Sequence, residues 1–105
     1  MSNFNQKPII ITAPMPLSFW ATLRQLGVLS STNGKPIIVT SIRWNDPGGG
    51  AQYIITDASA SQNQLAFGDT PLDFQGADPI DYMHRKWRDW QVTVLNGGTL
   101  TIDYD

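Results

Sequence analysis

The side chains best suited to chemistry gather near residue 84. The single histidine, His84, stands in DYMHRKWRDW with Asp81 before it and Asp89 after it. A hydrolase would pair such a histidine with a serine nucleophile and orient it with an aspartate. No GxSxG elbow accompanies it, so the plainer reading holds: an ordinary histidine near the head of a strand, with no catalytic residue assigned. Asp69, Asp73, Asp78 and Asp81 crowd the preceding stretch. Their spacing matches no EF-hand loop, and a glycosidase acid would need a sheltered cleft that a small domain rarely builds. Aspartates among prolines and glycines serve as turn formers without any ligand, so no metal is expected. Gly48-Gly49-Gly50 and Gly97-Gly98 lie between no strand and helix, and no Gly-Lys-Ser/Thr follows them. They are hairpin tips rather than phosphate cradles, and no cofactor is expected.

A second constellation overlaps the first. His84, Arg85, Lys86 and Arg88 interleave with Trp87 and Trp90, an alternation of cations and aromatics that can bind single-stranded nucleic acid. The whole chain opposes this, since its net charge is −2 and its pI is about 5.0, with no general attraction for phosphate. The plainer reading is a strand entrance whose cations pair with the loop aspartates or with a neighbouring subunit. Trp90 belongs to the core by its phase. Trp87 has the opposite parity and is expected to be exposed. Exposed tryptophan near Asp and Asn suits sugar stacking, so a carbohydrate-binding module is the alternative function and a glycan the alternative partner. Trp87, Arg85 and Arg88 are therefore interface candidates.

The elements that must position these residues follow from composition. All nine acidic residues are Asp and none is Glu, beside nine Gly and seven Pro. Asp competes with helical backbone and favours turns and caps, so the balance describes short strands joined by tight turns. The 105 residues fit one domain with a modest core, to which subunit contacts add stability. Without cysteine no disulfide, thiolate nucleophile or Cys-ligated zinc is available. The N-terminus lacks the apolar region of a signal peptide, and no stretch approaches the length of a membrane span.

Residues 1–16 carry Ile9, Ile10 and Ile11 among Pro8, Pro14 and Pro16 and read as an extended arm preceding a single domain over 17–105. Exposed, the isoleucines would be a liability. The arm is expected to be ordered mainly by a neighbouring subunit, making Ile9, Ile10 and Ile11 interface candidates; the alternative is an edge strand on its own sheet. Ser18, then Phe19, Trp20, Leu23 and Leu26 at helical spacing, then Gly27, predict a short helix over about 18–26. Its rival is a strand to Ser31 that turns at Asn33-Gly34. Residues 36–45 and 51–57 read as a hairpin with a glycine tip, 57–63 as a polar turn, 65–67 as a short strand and 68–82 as the longest irregular connection. At the C-terminus Trp90, Val92 and Val94 alternate, as do Leu100, Ile102 and Tyr104. A three-residue loop, Asn96-Gly97-Gly98, would make these one hairpin with Val92 opposite Ile102, both stripes facing the core and Gly98 left-handed. The fold class expected is mainly all-β: a small antiparallel β-sandwich or partly closed barrel of about six to eight strands, possessing at most one short helix.

From Lys35 to Asp105, the pattern PIIVTSIRWNDPGGGAQYIITDA, an irregular loop, then WRDWQVTVLNGGTLTIDYD resembles small β-sandwich structural proteins of tailed bacteriophages. The shared features are a β-sandwich layout ending in an aromatic strand and a closing GTL hairpin. The resemblance carries over packing and no site residues. It implies a non-catalytic virion component, a capsid decoration or tail or neck accessory protein, made in the host cytoplasm and acting through homo-oligomeric contacts and contacts to other virion proteins. A turn-rich, cysteine-free β-domain with an apolar arm is compatible with symmetric assembly.

Overall fold

The computed structural model describes residues 2–4, 6–27, 36–58 and 63–105. The order of elements is β1 (Ile9–Ile11), α1 (Phe19–Gln25), β2 (Ile37–Asn45), β3 (Gln52–Asp57), β4 (Gln64–Asp69), β5 (Ile80–Trp87), β6 (Trp90–Leu95) and β7 (Thr99–Tyr104). They form two antiparallel sheets, one ordered β1-β7-β2-β5 and the other β4-β3-β6. This is the mainly β fold expected, with two sheets, one short helix and no closed barrel among the described residues.

The helix forms where the spacing places it. Ser18 is its N-cap, the hydroxyl accepting from the Ala21 amide, and Gly27 follows at φ 77°, the left-handed position that glycine fills without a Cβ penalty. The rival strand is excluded over 19–25; its Asn33-Gly34 turn lies outside the described residues.

Strand connectivity departs from the two hairpins expected. β2 and β3 lie in different sheets, as do β6 and β7. Ile102 pairs with Ile42 and Ile9, whereas Val92 pairs with Ile55. Residues 46–51 and 96–98 are therefore arches that carry the chain from one layer to the other. The apolar stripes do face the core, but from opposite sides of it. The stripe of β6 also changes phase. Ile54 pairs with Val94 and Ile55 with Val92, so Thr93 is an extra, bulged residue. Beyond it Leu95 is buried and Val94 only half-buried, because a bulge reverses the alternation. Of the described strands consecutive in sequence, only β3 and β4 pair in one sheet.

The two arches pack against each other, and that contact requires glycine. Gly98 has φ 75°, and a Cβ there would lie 2.6 Å from the Asn45 carbonyl oxygen and 2.8 Å from the Pro47 Cα. The Trp44 indole N–H donates to the Gly97 carbonyl over 2.8 Å and locks the pair. Residues 70–79 form the irregular connection, shorter than expected because β5 already begins at Ile80.

The arm is part of the sheet. Ile9 pairs with Ile102 and Ile11 with Leu100, and both isoleucines are fully buried. A neighbouring subunit is not what covers them. The expectation of an intersubunit clasp gives way to the edge-strand alternative, since the prolines lie outside the paired residues. Asn3 exchanges both backbone hydrogen bonds with Ile10, and Lys7 sits over the Tyr104 ring. Residues 2–4 thus cover the outer edge of β1. The core continues through Ile42, Trp44, Ile55, Trp87, Trp90, Val92, Leu100 and Ile102, all buried.

Candidate functional site

The chemistry-bearing stretch is not a strand entrance but a whole strand. Among the described residues β5 pairs with β2 alone and ends the four-stranded sheet. Along it Asp81, Tyr82, His84, Arg85 and Lys86 are exposed, as is Arg88 just beyond. Tyr82 is 77% exposed. Trp87 is not: it is 2% exposed and pairs with Ile37, which corrects the expectation of a surface indole. Trp87 and Trp90 both face inward despite their odd spacing because Arg88 and Asp89 carry the chain between the sheets, resetting the alternation.

Asp89, considered as a partner of His84, has a structural role instead. Its Oδ1 accepts from the Trp20 amide in the first turn of α1 and from the Trp90 amide. This satisfies a helix N–H that has no partner inside the helix and ties α1 to the start of β6. Phe19 then stacks on Trp90 with ring centroids 4.7 Å apart. The loop aspartates disperse. Asp78 accepts from the Asp46 amide, Asp69 ends β4, Asp73 is exposed and Asp81 lies on β5. Among the described residues no three His or Asp side chains gather as a metal site. Spacing could not have located Asp89, because its partner Trp20 is 69 residues away.

The sides of the two-sheet fold differ. On one side, the chain after β1 closes the edge of β6: the Met15 amide donates to the Val92 carbonyl, the Val92 amide to the Met15 thioether, and the Gln91 side chain to the Met15 carbonyl. Helix α1 continues that cover. On the other side, β4 and β5 are both terminal strands. Leu65 of β4 faces Tyr82, Met83, His84, Arg85, Lys86 and Trp87 of β5 across an open groove of about 550 Å³. A smaller hollow of about 220 Å³ continues it past Lys86, Trp87 and Arg88 to Asp57. Three of the seven cations of this acidic chain, Arg85, Lys86 and Arg88, border the groove. The interface candidates therefore divide. Arg85 and Arg88 lie on the open side, Ile10 is half-buried in β1, and Ile9, Ile11 and Trp87 belong to the core.

Beneath this side Tyr53 of β3 packs edge-on against Trp44. Burial, with a smaller contribution from the Asp81 carboxylate, pushes its hydroxyl from 10.0 up to about 12. The folded state thus holds the phenol proton after the unfolded chain has released it. The contribution of this group to stability is fully present below about pH 10 and is lost as pH rises through about 12. Urea midpoints measured across that interval should fall with pH, and Tyr53→Phe should flatten the slope; an unchanged slope in the variant would place the titration elsewhere.

Compared with protein-family models, curated proteins and solved structures, the chain matches none of them.

Proposed function

We propose that this chain is a non-catalytic structural protein that works by assembling with copies of itself, and that the assembly is a virion of the tailed-phage type, as a capsid decoration or tail or neck accessory component. The observation that carries the assembly reading is the asymmetry of the fold. The chain uses residues 2–4 and Met15 to seal the edges of β1 and β6, while among the described residues β4 and β5 end their sheets on the same open side. Unpaired strand edges template pairing with other chains, and a small domain gains stability from such contacts. The virion setting rests on the resemblance of the segment from Lys35 to Asp105. The glycan alternative rested on an exposed Trp87, and that indole is buried.

Sedimentation across a wide concentration range tests the first part. A mass that is a multiple of 11.6 kDa is expected, and a monomer throughout would overturn it. Mass spectrometry of purified particles tests the second: stoichiometric recovery in washed virions supports the reading, and recovery only in the soluble fraction of the host overturns it.

A further inference from the structure

We infer that β5 is the self-association surface, pairing antiparallel with β5 of a second copy so that Asp81 of each chain faces Arg85 of the other and the two four-stranded sheets become one. This deepens the assembly reading and rests on it.

The register comes from the faces of the strand. Within the chain Asp81 pairs with buried Ile42, Arg85 with buried Val39, and buried Trp87 with Ile37. Cross-strand partners share a face, so Asp81, Arg85 and Trp87 belong to the inward face, and Met83, half-buried against the core, lies between the first two. A two-fold axis relating the copies brings inward residues opposite inward residues. Placing Arg85 opposite Arg85, or Asp81 opposite Asp81, sets like charges together at the centre of the contact. Placing Asp81 opposite Trp87 leaves the charges unmatched. Only Asp81 opposite Arg85 pairs opposite charges, and symmetry makes it happen twice. Met83 then meets its own copy on the axis, and on the outer face Tyr82 meets His84.

Charged edge strands ordinarily discourage pairing. Here the same charges penalise every register but one, so they act as a selector. The rest of the surface agrees. Tyr82, at 77% exposure, is a large aromatic lying mostly in solvent, and no described strand other than β2 pairs with β5.

The test is charge exchange in the full chain, read by sedimentation. D81R and R85D each place like charges opposite one another at both symmetry-related pairs, and each should weaken association by roughly tenfold or more, the size of one lost charge pair being the lower bound. The double variant D81R/R85D restores opposite charges and should recover association. Both positions are exposed, so circular dichroism should be unchanged in all three. In this cysteine-free chain, M83C should also form a disulfide dimer under mild oxidation, because paired antiparallel residues approach to about 4.5–5.5 Å, whereas D73C in the distant loop should associate as the native chain does but form no disulfide-linked dimer. If the native protein is an oligomer that both single variants preserve, the assembly reading stands and the β5 interface falls. If the native protein is a monomer at every concentration, both fall. A monomer whose β5 amides shift only on adding an extended acidic peptide would give the edge to a foreign strand and overturn self-pairing.

Discussion

A chain lacking residues 1–13 is expected to lose its cooperative fold, not merely its assembly. The deletion removes β1 and with it two isoleucines that are fully buried in the row Ile9–Ile102–Ile42 and beside Leu100 and Trp44. Truncating one buried isoleucine to alanine costs about 2–5 kcal/mol, and a domain of this kind has only about 5–15 kcal/mol in total. Losing the whole strand also strips the outer edge of β7 and the Asn3–Ile10 bonds beyond it. The milder double variant I9A/I11A leaves the backbone pairing intact and should lower the urea midpoint steeply while the transition remains cooperative. The control is Ile10→Ala, half-buried on the other face, with a much smaller effect. A truncated chain that melts like the native protein but sediments at lower mass would restore the arm to the role of a clasp between subunits.

Trp90→Ala should produce the largest effect of any single core substitution, about 3–5 kcal/mol. Trp90 is fully buried, stacks on Phe19, and lies with its ring centroid 5.6 Å from that of Trp87. It therefore joins the helix to both sheets, and no single neighbour can fill the space it leaves. Trp90→Phe behaves differently. The Trp90 indole N–H is buried with no hydrogen-bond partner among the described residues, a group that costs about 1–3 kcal/mol to leave unsatisfied. Phenylalanine removes that cost while keeping the stack on Phe19, so the net change should stay below about 1.5 kcal/mol. Thermal or urea melts of the two variants measure the difference. Equal losses would mean that the indole nitrogen is satisfied in solution and that ring volume alone decides the site.

Much of the architecture was legible in residue order because local rules govern it. The helix over 19–25 follows from Ser18, an apolar face and Gly27, all within one short window. The strands at 37–45 and 52–57 follow from β-branched runs bounded by turn residues, those at 90–95 and 99–104 from apolar alternation, and the middle of 64–69 from a short apolar run. Alternation also says which residues face inward, and Trp90, Val92, Leu100 and Ile102 do.

Alternation cannot say which sheet a strand joins. An inward stripe is equally satisfied by a hairpin within one layer and by an arch that places the stripes face to face across the core, and only the close packing of the arches at Gly97 and Gly98 against Asn45 and Pro47 selects the second. The same limit hid the status of β5. Its polar sequence reads as a connection because a strand at the end of a sheet, flanking an open groove, buries almost nothing but Trp87. Tertiary placement likewise decided which side of the fold stays open: Met15 reaches Val92 across 77 residues and Asp89 reaches Trp20 across 69, contacts with no local signature. Residue order determined most of the strands and, where no bulge or crossing between sheets intervenes, their inward faces, because a side chain's direction alternates with its own backbone, whereas pairing partners, sealed edges and the exposed strand depend on which distant segments dock, and that is settled by the packing of the whole core.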